Sequence, residues 1–255
     1  MHLVYENSFS FFKFPNLAAF PEVVHAIFTR HGGHSKPPFQ SLNVSFSVGD
    51  DPECVRKNKA LILDFTGNSE LVFTNQVHGT GIWVLSDNTL HMDKASPPSA
   101  DAMITNLPGK TLMIKAADCQ PVLLYDPPQK VIANVHSGWR GSVRNILGNT
   151  VEKMASVFGS RPRDVIAGIG PSLGPCCAEF TNYQKEIPPE FWCHKDGGDH
   201  FDFWSISKNQ LRDAGVLEKN ILVSGICTQC RPDLFFSYRK EKMTGRFAAV
   251  IGLKG

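Results

Sequence analysis

The chain has 255 residues, of which 42% are hydrophobic and 20% are charged, and such a composition is ordinary for a soluble globular protein with one sizeable core. Its formal net charge of +2, without a long basic run, argues against a nucleic-acid partner and against binding to a membrane surface. No apolar run reaches the length of about 18 residues that a membrane-spanning helix needs, and the opening residues lack the pattern of an export signal.

The first half of the chain predicts short strands and one helix. Residues 1–21 are aromatic and irregular, which favours an edge strand or a hairpin. A helix is predicted to begin after Asp51, which can act as the N-cap with proline in the first turn, and to end at Gly67. Strands are predicted at residues 23–30, 43–48, 71–77, 81–85, 102–105 and 111–116.

The stretch 115–141 carries most of the chemistry. It reads K-A-A-D-C-Q-P-V-L-L-Y-D-P-P-Q-K-V-I-A-N-V-H-S-G-W-R-G. Two apolar runs, at 121–125 and 131–135, flank a D-P-P-Q turn and predict a hairpin with Cys119 and His136 at the same end. A thiolate sulfur and an imidazole nitrogen together make a good site for zinc or copper.

The second half mixes helices and strands without regular alternation. Helices are predicted at 143–158, 182–188 and 205–215, and strands at 165–170, 221–226 and 247–253. The N-terminus of the helix at 143–158, beside the candidate metal, could hold an anion. About ten strands and three or four helices predict one α/β (α+β) domain over residues 1–255 with mixed sheets, rather than a Rossmann or barrel fold.

A third candidate metal ligand is His78, in N-Q-V-H-G, where the glycine permits close approach of the backbone. His78, Cys119 and His136 lie far apart in sequence and supply three ligands, as in a catalytic site with a fourth position open to water. The alternative is structural: a histidine beside a glycine often belongs to a turn, and a single cysteine is often a small core residue.

The motifs of the chain together resemble the YfiH/laccase-domain family. They occur in order as T-R-H-G-G-H-S (29–35), S-L-N (41–43), V-G-D-D-P (48–52), N-Q-V-H-G (75–79), A-D-A-M-I-T (100–105), A-A-D-C-Q-P-V (116–122), H-S-G-W-R-G (136–141), I-G-P-S-L-G-P-C-C (169–177), C-T (227–228), F-F-S-Y-R (235–239) and T-G-R (244–246). The resemblance implies a layered α/β/β/α fold and a zinc ion bound by His78, Cys119 and His136. Ser137 stands where alanine is usual, and it keeps the residue small.

Members of this family are named as polyphenol oxidoreductases, or as purine nucleoside phosphorylases with adenosine deaminase activity, and the resemblance implies purine nucleosides and phosphate as substrates. A multicopper oxidase needs several copper ions and many H-x-H pairs, whereas this chain has nine histidines and no H-x-H pair, so copper would be adventitious. A further alternative is a cysteine hydrolase of the peptidoglycan-editing kind, with Cys119 as nucleophile and His136 as base.

The substrate contacts are less sharply defined. For deamination, Asp118 is the carboxylate nearest to a ligand in sequence and so a candidate proton shuttle, although it could equally bond backbone N–H groups of its loop. For phosphorolysis, the candidate phosphate or ribose holders are Arg30, Arg140 and Arg246, each beside a glycine of a motif. Arg30 is the preferred one, with Asn43 as a ribose or base contact. Methylthioadenosine is a further candidate substrate.

The remaining cysteines predict no second site. Seven cysteines in a chain of this length indicate free thiols and a cytoplasmic location. Cys227 and Cys230 form a C-x-x-C pair, but a zinc ribbon needs a second pair, and the adjacent Cys176 and Cys177 are poorly spaced for chelation. A redox role for the pair would need a thioredoxin-like strand and helix around it.

Overall fold

Two six-stranded mixed sheets pack against each other in a computed structural model that describes residues 1–6, 9–86 and 97–255. Sheet 1 has the order β1-β2-β3-β12-β7-β4, and sheet 2 has the order β11-β10-β8-β9-β6-β5. The strands are β1 His2–Glu6, β2 Phe9–Lys13, β3 Val23–Phe28, β4 Glu70–Val72, β5 Ile82–Val84, β6 Ala102–Thr105, β7 Lys110–Ala116, β8 Gln120–Asp126, β9 Val131–Ser137, β10 Ile166–Ile169, β11 Ile221–Val223 and β12 Phe247–Leu253.

Most neighbouring strands run antiparallel, and each sheet also contains parallel pairs. In sheet 1 the short β4 runs parallel to β7, and in sheet 2 the outer strands β5 and β11 run parallel to β6 and β10. The last strand of the chain, β12, lies in the middle of sheet 1 between β3 and β7. The predicted hairpin is β8 and β9, in which Pro121 pairs with His136.

The three longest helices cover the outer faces of the sheets, and the chain has further short helices. The helices are α1 Pro15–Ala18, α2 Pro52–Thr66, α3 Trp139–Ser142, α4 Ile146–Phe158, α5 Tyr183–Glu186, α6 Phe203–Asp213 and α7 Tyr238–Glu241, with 3₁₀ turns at Phe46–Val48, Pro162–Asp164, Pro189–His194 and Glu218–Asn220. Of these, α2 lies on sheet 1, and α4 and α6 lie on sheet 2. As predicted, α2 begins after Asp51, whose carboxylate accepts the N–H of Glu53, and it ends at Gly67 with φ +66°. Within the described residues, none of the helices combines the length and apolar character that a bilayer crossing requires.

The alternation of side chains along the strands produces the α/β/β/α layers. In β12, Ala249 and Ile251 face the core between the two sheets, whereas Ala248 and Val250 face the core under α2. On the far side of sheet 2, a third core joins β6, β8, β9 and β10 to α4 and α6. The expected layered α/β fold is therefore confirmed.

Three predicted elements differ from the structure, and in the first two a side chain competes for the backbone. The strand predicted at 43–48 does not form: the Asn43 side chain bonds both the N–H and the C=O of Ser45, which turns the chain. The helix predicted at 143–158 is split into α3 and α4 at Asn145, whose φ is +58° and whose side chain caps Gly148. The strand predicted at 71–77 ends early, since β4 stops at Val72.

Asn134 joins the two sheets and gives a test of this packing. Its side-chain amide, on β9, donates to the carbonyl oxygens of Leu112 on β7 and Ala249 on β12, both at 2.9 Å, and the residue is fully buried. We expect Asn134→Ala to lower the free energy of unfolding by about 1–3 kcal/mol, because two buried carbonyls lose a donor. The exposed Asn106→Ala is the control. Equal denaturation midpoints for the two variants would contradict this role.

Candidate metal centre and active site

Three metal-ligand side chains meet at one end of the β8–β9 hairpin. His136 lies near the end of β9, Cys119 in the turn between β7 and β8, and His78 in the loop that follows β4. Their possible ligand atoms all lie within 4.8 Å of one another. The His78 and His136 rings are 4.9 Å apart, and burial increases from the exposed His78 through Cys119 to His136. The three residues chosen from the sequence are thus adjacent in the fold.

A buried carboxylate, Asp101, holds two of these ligands in place. It lies just before β6 and is fully buried. Its oxygens accept the backbone N–H groups of Val77 at 3.2 Å, His78 at 2.9 Å and Gly79 at 2.7 Å. Its Oδ1 also lies 2.8 Å from Nδ1 of His136. When Nδ1 donates this bond, Nε2 of His136 is left free to bind a metal.

The electrostatics of the group favour a thiolate at Cys119. Burial alone would raise the pKa of the Cys119 thiol, but the neighbouring His136 and His78 lower it below its usual value. Burial alone would lower the pKa of His136, but Cys119 and Asp101 raise it above its usual value. Since the thiolate is the form of cysteine that binds metals, this arrangement prepares Cys119 as a ligand.

The dimensions also fit a metal ion. Three atoms within 4.8 Å of one another share a point no farther than 4.8/√3, about 2.8 Å, from each of them. Zinc bonds of about 2.0–2.3 Å then require only a small contraction of the group. A Cβ atom on Gly138 would lie 3.1 Å from the His78 ring and 3.2 Å from the Cys119 sulfur, so only glycine leaves the group free to close.

A cavity of about 530 Å³ adjoins this group, and its volume suits a ligand of nucleoside size. Its walls combine the metal-ligand group with aromatic and cationic side chains. The aromatic residues among them are Trp139, Phe180, Phe203 and Tyr238. Tyr238 is 53% exposed, and the Arg246 guanidinium lies over its ring at 5.8 Å.

The cationic wall consists of Lys115 and Arg246, with Lys59 close behind. Within residues 1–6, 9–86 and 97–255, no carboxylate forms an ion pair with any of the three. Burial and the neighbouring Arg246 lower the pKa of Lys115, and burial and Lys115 lower the pKa of Lys59 to about 7. Mutual repulsion of partly buried cations is relieved by an anion, so this wall can bind one.

The other predicted substrate contacts mostly lie elsewhere. Arg30 does not line the cavity: its guanidinium bonds the carbonyls of Gln40 and Pro232 and pairs with Glu241 at 2.8 Å. Arg140 is exposed and rests on the Trp139 ring, outside the cavity lining. Asn43 is fully buried and accepts the N–H of Arg246, so it orients that arginine and does not face a ligand. Arg246 alone of the predicted arginines lines the cavity.

Asp118 lines the cavity but is engaged by its surroundings. Its Oδ1 accepts the hydroxyls of Thr228 and Ser237, both at 2.7 Å, and its Oδ2 accepts the N–H of Arg239 at 2.6 Å. With φ +85° it holds the strained turn before Cys119. The alternative of a loop-bonding residue therefore fits Asp118 better than a proton shuttle.

Asp101, Lys115 and Arg239 are not among the site residues predicted from the sequence, although each lies in one of the segments singled out there. Asp101 stands inside A-D-A-M-I-T, Lys115 opens the central stretch, and Arg239 ends F-F-S-Y-R. Arg239 lines the cavity, with its guanidinium over the Phe180 ring at 5.7 Å. Their roles depend on which distant segments meet, and spacing in the sequence does not reveal this.

Comparison with known proteins gives consistent matches over most of the chain. The family model described as "Multi-copper polyphenol oxidoreductase laccase" matches residues 24–254. A protein of Deinococcus radiodurans named "Purine nucleoside phosphorylase" is 36% identical over 94% of this chain and 91% of its own length. One of the same name from Bacteroides thetaiotaomicron is 33% identical over 89% and 90%.

Solved structures match equally well. The crystal structure of YlmD from Geobacillus stearothermophilus superposes with a TM-score of 0.87, at 30% identity, over 99% of both chains. That of a Bacillus licheniformis protein described as hypothetical protein YfiH has a TM-score of 0.85, at 29% identity, over 97% of both chains.

The role of Asp101 can be tested through metal affinity. We expect Asp101→Asn to weaken metal binding by about 10- to 100-fold, because the bond that orients His136 loses its charge. The measurement is competition with a chromophoric chelator. The exposed Asp64→Asn is the matched control and should bind as the wild type does. Unchanged affinity in a folded Asp101→Asn variant would show that this carboxylate only supports the loop.

Proposed function

We propose that the chain, which belongs to the family described as multi-copper polyphenol oxidoreductase laccase, is a zinc-dependent purine nucleoside phosphorylase. The observation that carries the proposal is one cavity that combines a metal-ligand group, aromatic walls and two cations, Lys115 and Arg246, which form no ion pair with a carboxylate of the described residues. The names of the relatives, "Purine nucleoside phosphorylase", support the same reaction. We further propose that the enzyme works in the cytoplasm.

Different parts of the cavity wall suit different chemical groups of the substrates. Flat rings such as those of Phe180 and Tyr238 suit the faces of a purine base. Lys115 and Arg246, together with the hydroxyls of Ser45 and Ser47 in the same lining, suit a phosphate ion. The anion site expected at Arg30 and Arg140 is thereby replaced by one at Lys115 and Arg246.

In this mechanism phosphate attacks the ribose. A phosphate oxygen forms a bond to C1′, the bond from C1′ to the purine nitrogen breaks, and its electron pair leaves with the base, which takes up a proton. Lys115 and Arg246 hold the phosphate beside C1′, where its negative charge balances the positive charge that develops on the sugar. His78, Cys119 and His136 would hold a zinc ion, which would supply Lewis-acid chemistry at this end of the cavity.

We propose adenosine deaminase activity as a second reaction of the same cavity. In this reaction water adds at C6 and the amino group leaves as ammonia, so that an oxygen remains on C6 and no phosphate is needed. Among the described lining residues only Asp118 carries a carboxylate, and its oxygens already accept three hydrogen bonds. Asp118 is therefore poorly suited to shuttle a proton, and we propose phosphorolysis as the main reaction of the cavity. Methylthioadenosine belongs to the same substrate class and stays a candidate.

One observation favours a different enzyme class, a cysteine hydrolase. Cys119 is hydrogen-bonded to His136, which lowers the pKa of the thiol despite burial and would activate it as a nucleophile. A sulfur held by a metal cannot attack a substrate, so metal content decides between the two. Copper oxidase chemistry has less support, because only one group of candidate ligands within the described residues contains histidine.

The metal proposal predicts a loss of zinc on mutation of Cys119. We expect Cys119→Ala to contain one equivalent of zinc less than the wild type, measured by inductively coupled plasma mass spectrometry. It should also lose nucleoside cleavage while remaining folded, because the site lies at the end of a hairpin outside the main cores. The exposed Cys193→Ala is the control. Equal zinc in both variants would remove the metal site and favour the hydrolase.

The phosphate proposal predicts a selective defect in Lys115→Met. Loss of a charge-assisted contact of about 1.5–3 kcal/mol should reduce phosphorolysis by roughly ten- to a hundredfold, through a higher KM for phosphate. Deamination by water should fall much less. Chromatography of the products of adenosine and inosine, with and without phosphate, measures both reactions.

Matched variants sharpen this test. Lys57→Met, on the exposed face of α2, should leave both reactions unchanged. Arg30→Ala should lower the melting temperature and leave the KM for phosphate unchanged, because the pair with Glu241 lies outside the cavity. Free ribose formed without phosphate would indicate a hydrolase. Equal losses of both reactions in Lys115→Met would show that Lys115 binds the nucleoside.

A further inference from the structure

Four cysteines that form two distant pairs in the sequence come together in the fold. They are Cys176, Cys177, Cys227 and Cys230. The sulfur of Cys230 lies 3.6 Å from that of Cys176 and 3.5 Å from that of Cys177. Together with Cys227, all four sulfur atoms lie within 4.8 Å of one another. The prediction that Cys227 and Cys230 lack a second pair is therefore wrong, because Cys176 and Cys177 supply one.

Two loops pair side by side and bring the cysteines together. Ser172 and Cys227 form a parallel bridge, in which the N–H of Thr228 donates to the carbonyl of Ser172 at 3.0 Å. A tight turn then follows, with the N–H of Cys177 bonded to the carbonyl of Gly174 at 2.9 Å. A Cβ atom on Gly174 would lie 2.7 Å from the Trp204 ring and 3.1 Å from the Cβ atom of Cys227, so the glycine allows this close approach.

We propose that Cys176, Cys177, Cys227 and Cys230 bind one zinc ion as a closed four-sulfur site. Zinc–sulfur bonds of about 2.3 Å in a tetrahedron place the sulfur atoms about 3.8 Å apart. The observed separations of 3.5 and 3.6 Å match this spacing and far exceed the length of a disulfide bond, about 2.05 Å. Four soft ligands in a tetrahedron are the set that zinc prefers in structural sites.

The surroundings of the sulfurs support a metal. The backbone N–H of Gly174 donates to the Cys227 sulfur at 3.3 Å, and the N–H of Cys230 donates to it as well. A doubly charged cation removes the repulsion that opposes four thiolates in one place.

The position of the site suggests a structural role. Ser172 and Leu173, in the first loop, line the cavity, and the N–H of Leu173 donates to the carbonyl of Asp118 at 2.8 Å. Thr228, in the second loop, donates to the Asp118 carboxylate. Asp118 directly precedes Cys119 in the chain. A zinc ion between the loops would therefore fasten one wall of the cavity and the turn that presents Cys119. It would have no ligand position open for catalysis.

The experiment measures zinc per chain in full-length protein purified under reducing conditions. The double variant Cys227→Ser, Cys230→Ser should contain one equivalent less than the wild type, and adding Cys119→Ala should remove a second equivalent. The control double variant Cys54→Ser, Cys193→Ser changes two cysteines outside both groups and should lose none. The experiment thus tests the four-cysteine site and the catalytic site independently of each other.

Cobalt gives a second readout that does not depend on folding of the serine variants. The Cys119→Ala protein, stripped of zinc and titrated with Co²⁺, should bind one equivalent with the intense charge-transfer absorption of a four-thiolate site. No cobalt binding, or a spectrum with one or two thiolates, would overturn the proposal. So would bound iron in place of zinc, or a freshly purified chain lighter by two hydrogens, which would indicate a disulfide. Unchanged zinc in the Cys227→Ser, Cys230→Ser variant would also overturn it.

Discussion

The buried carboxylate of Asp101 is the constraint on which the candidate active site depends. A carboxylate removed from water is costly unless its oxygens are fully hydrogen-bonded, and Asp101 receives three backbone N–H groups and His136. Those bonds reach the loop after β4 and the end of β9, so one side chain joins segments that are distant in sequence. The left-handed backbone of His78, with φ +58°, is kept by the same bonds.

The cavity exists because both sheets end on this side of the molecule. Sheet 2 contributes the β8–β9 hairpin with its metal ligands, whereas Lys115 ends a strand of sheet 1 and Arg246 precedes another. Cations and a metal-ligand group therefore face each other across the junction of two rigid layers. Groups on rigid elements keep their separation without reorganisation, and this suits a reaction in which charge develops between a sugar and an anion.

Features that depend on a local pattern of residues could be predicted from the sequence. The helix caps at Asp51 and Gly67, the β8–β9 hairpin and the pairing of Cys119 with His136 follow from neighbouring residues. Features that depend on contacts between residues distant in sequence could not be predicted in this way. Arg30 looked like a ligand contact, but its carboxylate partner is Glu241, and the C-x-x-C pair meets its second pair only through a loop pairing distant in sequence. Spacing in the sequence does not show whether a polar side chain finds its hydrogen-bonding partner within the fold or in a ligand.

The central place of β12 in sheet 1 has a consequence for biosynthesis. Its neighbours β3 and β7 are made long before it, and neither can complete its ladder until residues 247–253 have left the ribosome. Until then, a nascent chain exposes two unpaired strand edges and part of the core between the sheets. Sheet 1 is therefore completed only after β12 has been translated.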